Sequence, residues 1–149
     1  MKIHINSTIS CSKKNARYMC IDIKNFYLGT PMKYFQYMRI HKKFIPQEVL
    51  DEYKIIFDDR GFTYVEICRG VYGLKEAGVI AFDQLVRKLK RFGYETMPQT
   101  SGLWRHTSHK TTFTFCVDDF GIQYFLKSDA NHLIDAIQDT YECSIDWEG

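Results

Sequence analysis

Residues 112–125 read Thr-Phe-Thr-Phe-Cys-Val-Asp-Asp-Phe-Gly-Ile-Gln-Tyr-Phe, so two adjacent carboxylates, Asp118 and Asp119, interrupt two strand-like apolar runs. Aspartate is depleted in strands, and two side by side repel each other. A hairpin turn tolerates the pair, and a bound cation would offset the repulsion. A third aspartate in a similar setting, Asp22 in Met19-Cys20-Ile21-Asp22-Ile23, completes a divalent-metal site if the two segments meet in one sheet. Mg²⁺ takes oxygen ligands in octahedral geometry, typically one or two carboxylates plus substrate phosphates. Two such ions about 4 Å apart clamp the attacking and leaving oxygens of a phosphoryl transfer. By itself the Asp118-Asp119 pair is explained equally well as a polar turn. Asp58-Asp59, ahead of Arg60-Gly61, reads as such a turn without chemistry.

The elements that must position these carboxylates follow from periodicity and turn residues. Tyr18 to Ile23 reads as a buried strand with Asp22 near its end, and Gly29-Thr30-Pro31-Met32 breaks the chain. Phe35 to Ile40 is a second strand, Pro46 to Tyr53 a short helix with proline near its start, and Phe62 to Arg69 a third strand. The strongest helix runs from about Leu74 to Phe92. Ala81, Leu85 and Leu89 share its apolar face, Phe82 and Val86 widen the stripe, and Gly93 closes it. Its basic side chains Arg87, Lys88, Lys90 and Arg91 read as a solvated face. Leu103 to His106 is a short strand, and Thr111 to Val117 with Phe120 to Leu126 makes a hairpin around the aspartate pair. Ser128-Asp129 offers an N-cap for a helix to about Thr140, and Cys143 to Trp147 a final strand. The expected fold class is α+β: an antiparallel sheet with helices gathered on one face.

At 149 residues the chain has the length of one domain, and its 45% hydrophobic content is enough for a core. No apolar stretch is long enough for a membrane span, and the N-terminus has no signal-peptide character, so an intracellular (cytoplasmic or nuclear) location without a membrane partner is expected. Five scattered cysteines without a Cys-x-x-Cys pattern fit reduced thiols; Cys20, Cys68 and Cys116 lie in apolar runs as small hydrophobes. His4, His41, His106, His109 and His132 show no shared ligand spacing, and His106 and His109 read as solvent-exposed loop. Charge is uneven: residues 1–110 hold 19 Lys and Arg against 10 Asp and Glu, net +9, whereas residues 111–149 hold 1 against 8, net −7. The basic part suits a polyanion or ordinary solvated surface.

Three motifs in order, Asp22 followed by Tyr27-Leu28, then Val71-Tyr72-Gly73-Leu74-Lys75-Glu76-Ala77-Gly78, then Val117-Asp118-Asp119, resemble those of copia-type retrotransposon reverse transcriptases. The resemblance runs from about Asn6 to Gly149. It implies a polymerase palm with a ferredoxin-like core, with residues at about 18–29 and 69–149 as palm and about 1–17 and 30–68 as part of the fingers. It implies RNA- or DNA-templated addition of deoxynucleotides by two-metal phosphoryl transfer. Asp22, Asp118 and Asp119 would be catalytic and hold two Mg²⁺, or Mn²⁺, with the Ile23 carbonyl as a further ligand. Tyr27 would gate against a ribose 2′-hydroxyl, and Gly73, Lys75 and Glu76 would lie on the nucleotide side. Glu76 departs from the family's usual Gln and puts a carboxylate near the triphosphate, which Coulomb's law disfavours. Lys13, Lys14 and Arg17 are weak candidates for phosphate contact. The partners implied are a template-primer and deoxynucleoside triphosphates. Upstream finger strands and a thumb are not in this sequence. The chain alone is therefore expected to be an inactive fragment, truncated at both ends, with self-association through exposed sheet edges. The alternative function is a non-catalytic transposon remnant or a nucleic-acid-binding module.

Overall fold

The computed structural model describes residues 14–98, 100 and 102–148. Strand β1 (Arg17–Ile23) lies where the sequence places a strand, but it is buried on alternate residues rather than throughout. Met19, Ile21 and Ile23 are buried while Asp22 is exposed. After a tight turn, β2 (Pro31–His41) and β3 (Phe62–Arg69) form an antiparallel two-stranded ribbon, with the short helix α1 (Gln47–Tyr53) between them. Helix α2 (Lys75–Arg91) follows. It buries Ala77, Ala81, Leu85 and Leu89, one residue every four, which is the stripe expected of a helix lying on a sheet. Gly93 closes it at φ +84°, a conformation that favours glycine.

The remaining elements are β4 (Tyr94–Thr96), β5 (Leu103–His106), β6 (Thr111–Cys116), β7 (Asp119–Tyr124), α3 (Lys127–Gln138) and β8 (Cys143–Asp146). Together with β1 the five strands build one antiparallel sheet in the order β4-β5-β6-β7-β1-β8. Helices α2 and α3 share a single core with it, centred on Ile21, Leu85, Phe113, Phe120, Ile122 and Leu133. The architecture is therefore α+β, with two of the three α-helices among the described residues covering one sheet face.

Three local expectations need correction, and one strand was not foreseen. Strand β4 follows Gly93 directly and is too short to show a period. Asp119 opens β7 instead of sitting in the turn, which consists of Val117 and Asp118. Helix α3 begins at Lys127 with Leu126 as its cap and no side-chain cap bond. The Asp129 carboxylate is instead taken by His109. Cys68 and Cys116 are exposed and do not pack as small hydrophobes. His4, Cys11 and Lys13 lie outside the described residues. Among those residues no helix is long and apolar enough to cross a membrane.

A candidate divalent-metal site

Register decides where the aspartates go. Asp22 of β1 lies opposite Asp119 of β7 on one side and Ser144 of β8 on the other, while Cys116 of β6 faces Asp119. Their neighbours Ile21, Phe120 and Phe115 belong to the core, so alternation sends the Asp22 and Asp119 side chains to the sheet face turned away from α2 and α3. Asp118, in the turn, is tied to β1 by the Ile23 amide, which donates to its carbonyl at 3.0 Å. The result is that one carboxylate oxygen from each of Asp22, Asp118 and Asp119 falls within 4.8 Å of the others.

The electrostatics are those of a site with surplus negative charge. The Asp119 carboxyl titrates above the ordinary aspartate value, first because it is partly desolvated and then because Asp118 and Asp22 repel its charge. Lys24 feels the field of Asp22, but it is engaged with Glu142. Ser144 Oγ lies 3.5 Å from Asp22 Oδ2, too long for a strong hydrogen bond. Hard oxygen donors with uncompensated charge on an open face fit Mg²⁺ or Mn²⁺ and do not fit a thiophilic metal.

Around the carboxylates the motif residues gather as follows. Tyr27 is half-buried. Its ring meets Phe26 at 5.4 Å and the edge of Tyr72 at 4.8 Å, and burial followed by the Asp118 charge pushes its phenol up. Tyr72 donates its hydroxyl to Asp118 Oδ2 at 3.2 Å. This contact is not visible in the spacing of the motif, although the residue lies within it. Gly73 adopts φ +96° and lets the chain turn into α2. Lys75 borders a cleft of about 360 Å³ lined by Tyr27, Gly78, Val79, Phe82 and Val117. The Glu76 carboxylate accepts a hydrogen bond from the Gln36 side chain of β2. Val117 takes φ +64°, an uncommon value for a β-branched residue, and thereby sets the direction of Asp118.

The other acidic pair behaves as a turn. Asp58 Oδ1 accepts the amides of Arg60 and Phe62, and Oδ2 accepts from Arg39. The Phe62 amide, then Arg39, holds this carboxyl below the usual range. His106 and His109 are not solvated loop residues. Both are half-buried and hydrogen-bonded, and they meet His132 of α3. Of the basic residues on α2, Lys88 pairs with Asp139 at 2.6 Å.

Comparison with protein-family models, curated proteins and solved structures finds no match.

Proposed function

We propose that the chain carries the palm core of a copia-type reverse transcriptase, with Asp22, Asp118 and Asp119 as its divalent-cation ligands. The observation that carries this reading is the meeting of three carboxylates from two distant segments on the sheet face opposite the helices. A primer terminus would approach the carboxylates from this face, since α2 and α3 pack on the other. Bound Mg²⁺ would neutralise the phosphates and lower the barrier to attack by a primer 3′-hydroxyl.

The chain's own residues prepare that chemistry. The β1–β7 pairing holds Asp22 and Asp119 side by side, and Tyr72 orients Asp118. Tyr27 presents a ring fixed on two sides, suited to excluding a 2′-substituent. Lys75 and the amino end of α2 give the cleft positive potential toward an entering phosphate. The Glu76 carboxylate, unusual for the family, is engaged by Gln36.

Mn²⁺ titration followed by NMR tests the metal assignment. Resonances of Asp22, Asp118 and Asp119 should broaden together and first, and Asp118→Asn should suppress the effect at all three. Primer extension with Mg²⁺ tests the chemistry: the chain alone is expected to extend little or not at all, and whatever extension it supports should be lost in Asp118→Asn, which removes a ligand of the ions. Equal, measurable extension by the two proteins removes the catalytic assignment.

A second reading, a nucleic-acid-binding module without turnover, is favoured by the β2–β3 ribbon. Its register puts Tyr37 and Tyr64, both strongly exposed, on one face with Arg39. Aromatic rings beside a guanidinium stack single-stranded bases. RNA affinity that falls with salt and ignores Mg²⁺ is its signature.

A further inference from the structure

At the other end of the β6–β7 hairpin, about 20 Å from the aspartates by strand rise, three imidazoles are packed together. The ring centroids of His106 and His109 are 4.5 Å apart, those of His106 and His132 4.9 Å, and those of His109 and His132 4.2 Å. The donor set does not suit a metal. Two backbone amides, of Ser108 and His109, both donate to His106 Nδ1 at 2.9 Å. An amide only donates, so Nδ1 carries the lone pair, and Nε2–H must be the donor to the Phe92 carbonyl at 2.8 Å. Both nitrogens of His106 are thus spent within the protein. His109 and His132 stack at an interplanar angle of 26°, so their in-plane lone pairs do not converge on one point.

The same geometry makes His106 a neutral pin. It ties the turn at residues 107–109 to the C-terminal end of α2, where Gly93 packs so closely that an added Cβ would lie 2.7 Å from Nε2. The Thr107 amide also donates to the Gly93 carbonyl at 3.1 Å. On the far side of the turn His109 Nδ1 shares a 2.8 Å hydrogen bond with Asp129, a nearly buried carboxylate at the start of α3. His132 Nδ1 shares one of 2.9 Å with the Tyr94 hydroxyl of β4. The turn borders a cleft of about 380 Å³ lined by Ser108, Lys110, Phe125, Leu126 and Asp129.

We propose that the His106–His109–His132 cluster is a proton-operated latch, in which a proton taken up at His106 Nδ1 expels the Ser108 and His109 amides and frees the turn from α2. The coupling is stoichiometric: Nδ1 cannot carry a proton and accept those two bonds at once. Groups acting on the cluster come from every element around it. Asp129 and Asp135 of α3 favour the protonated rings, the imidazoles oppose one another, and the Tyr94 phenol, raised by burial, stays neutral. Nearby, Arg105 of β5 is paired with Glu95 of β4, and Lys88 of α2 with Asp139. Burial, then neighbouring charge, holds His106 and His132 below the ordinary imidazole value. The sign follows: the unfolded chain binds more protons in that window, so the closed turn is stable above about pH 6.5 and loses stability as pH falls through it.

Amide hydrogen exchange on the wild-type protein, corrected for the intrinsic rate, tests the latch. Between about pH 7.5 and pH 5, protection of the Ser108 and His109 amides should fall at least about tenfold more than that of Ile122 in β7. Parallel loss at all three sites, or titration of His106 with both amides still protected, overturns the proposal. In His109→Gln, loss of a like charge should raise the His106 midpoint; an unchanged midpoint overturns the coupling. Stoichiometric Zn²⁺ binding at neutral pH that is lost in His132→Gln overturns it also, because the cluster would then be a metal site.

Discussion

Asp119 stands in a strand between Asp118 and Asp22 and keeps its proton to a higher pH than an isolated aspartate. In the window between its unfolded and folded values the folded state binds more protons. Stability therefore falls as pH rises through that window, and the ionised group weakens the metal-free fold at neutral pH. Asp119→Asn should accordingly raise the thermal midpoint without divalent cations and abolish the Mn²⁺ broadening at Asp22 and Asp118. A polar turn with no ligand would show the same gain but no Mn²⁺ broadening to lose, and a lowered midpoint in metal-free buffer would contradict the electrostatic account. Opposite effects on stability and on metal affinity are what a functional site gives, because charges gathered for a ligand repel without it. Asp118-Asp119 was visible in the sequence as an unusual strand interruption. The partner of Asp118, Tyr72, was not, because 46 residues separate them and only the fold brings them together.

At the scale of elements, the junction between β3 and α2 places Tyr27 against the site. Gly70 is buried there. It donates its amide to the Thr30 carbonyl at 2.8 Å, and an added Cβ would meet the Tyr27 carbonyl oxygen at 2.5 Å and the Ala77 Cβ at 3.1 Å. Gly70→Ala must push the Tyr27 turn away from the start of α2 and should cost about 1–3 kcal/mol. Urea denaturation checks this, and an unchanged midpoint would show that the junction yields freely. The long helix was legible because its stripe repeats from Ala77 to Leu89 within a helix of 17 residues. Strand β4 was not, since three residues carry no period. The start of α3 was misassigned because Ser128-Asp129 looks like a cap, whereas a partner from another element, His109, claims the carboxylate.

For the molecule as a whole, the exposed edges differ from one another. Among the described residues β4 and β8 bound the six-stranded sheet, and both are short, which limits strand addition. The β2–β3 ribbon is longer and shows Tyr34, Tyr37, Met38 and Tyr64 to solvent. Self-association should therefore run through the ribbon. Light scattering after size exclusion should show mass rising with concentration, and Tyr37→Lys with Tyr64→Lys should restore the monomer. An unaffected oligomer would move the interface elsewhere.

From residue types and periods alone came the α+β class, the main strands and helices, and the three aspartates as a candidate group, because alternation and turn chemistry are local. Pairing was decided only in three dimensions. The antiparallel register of β1 against β7 set Asp22 beside Asp119, the β5–β6 turn laid two histidines against a third on α3, and Glu76 was drawn toward Gln36. A shift of one residue in register would send Asp22 to the opposite face of the sheet, so a property shared by two distant strands had to await their pairing.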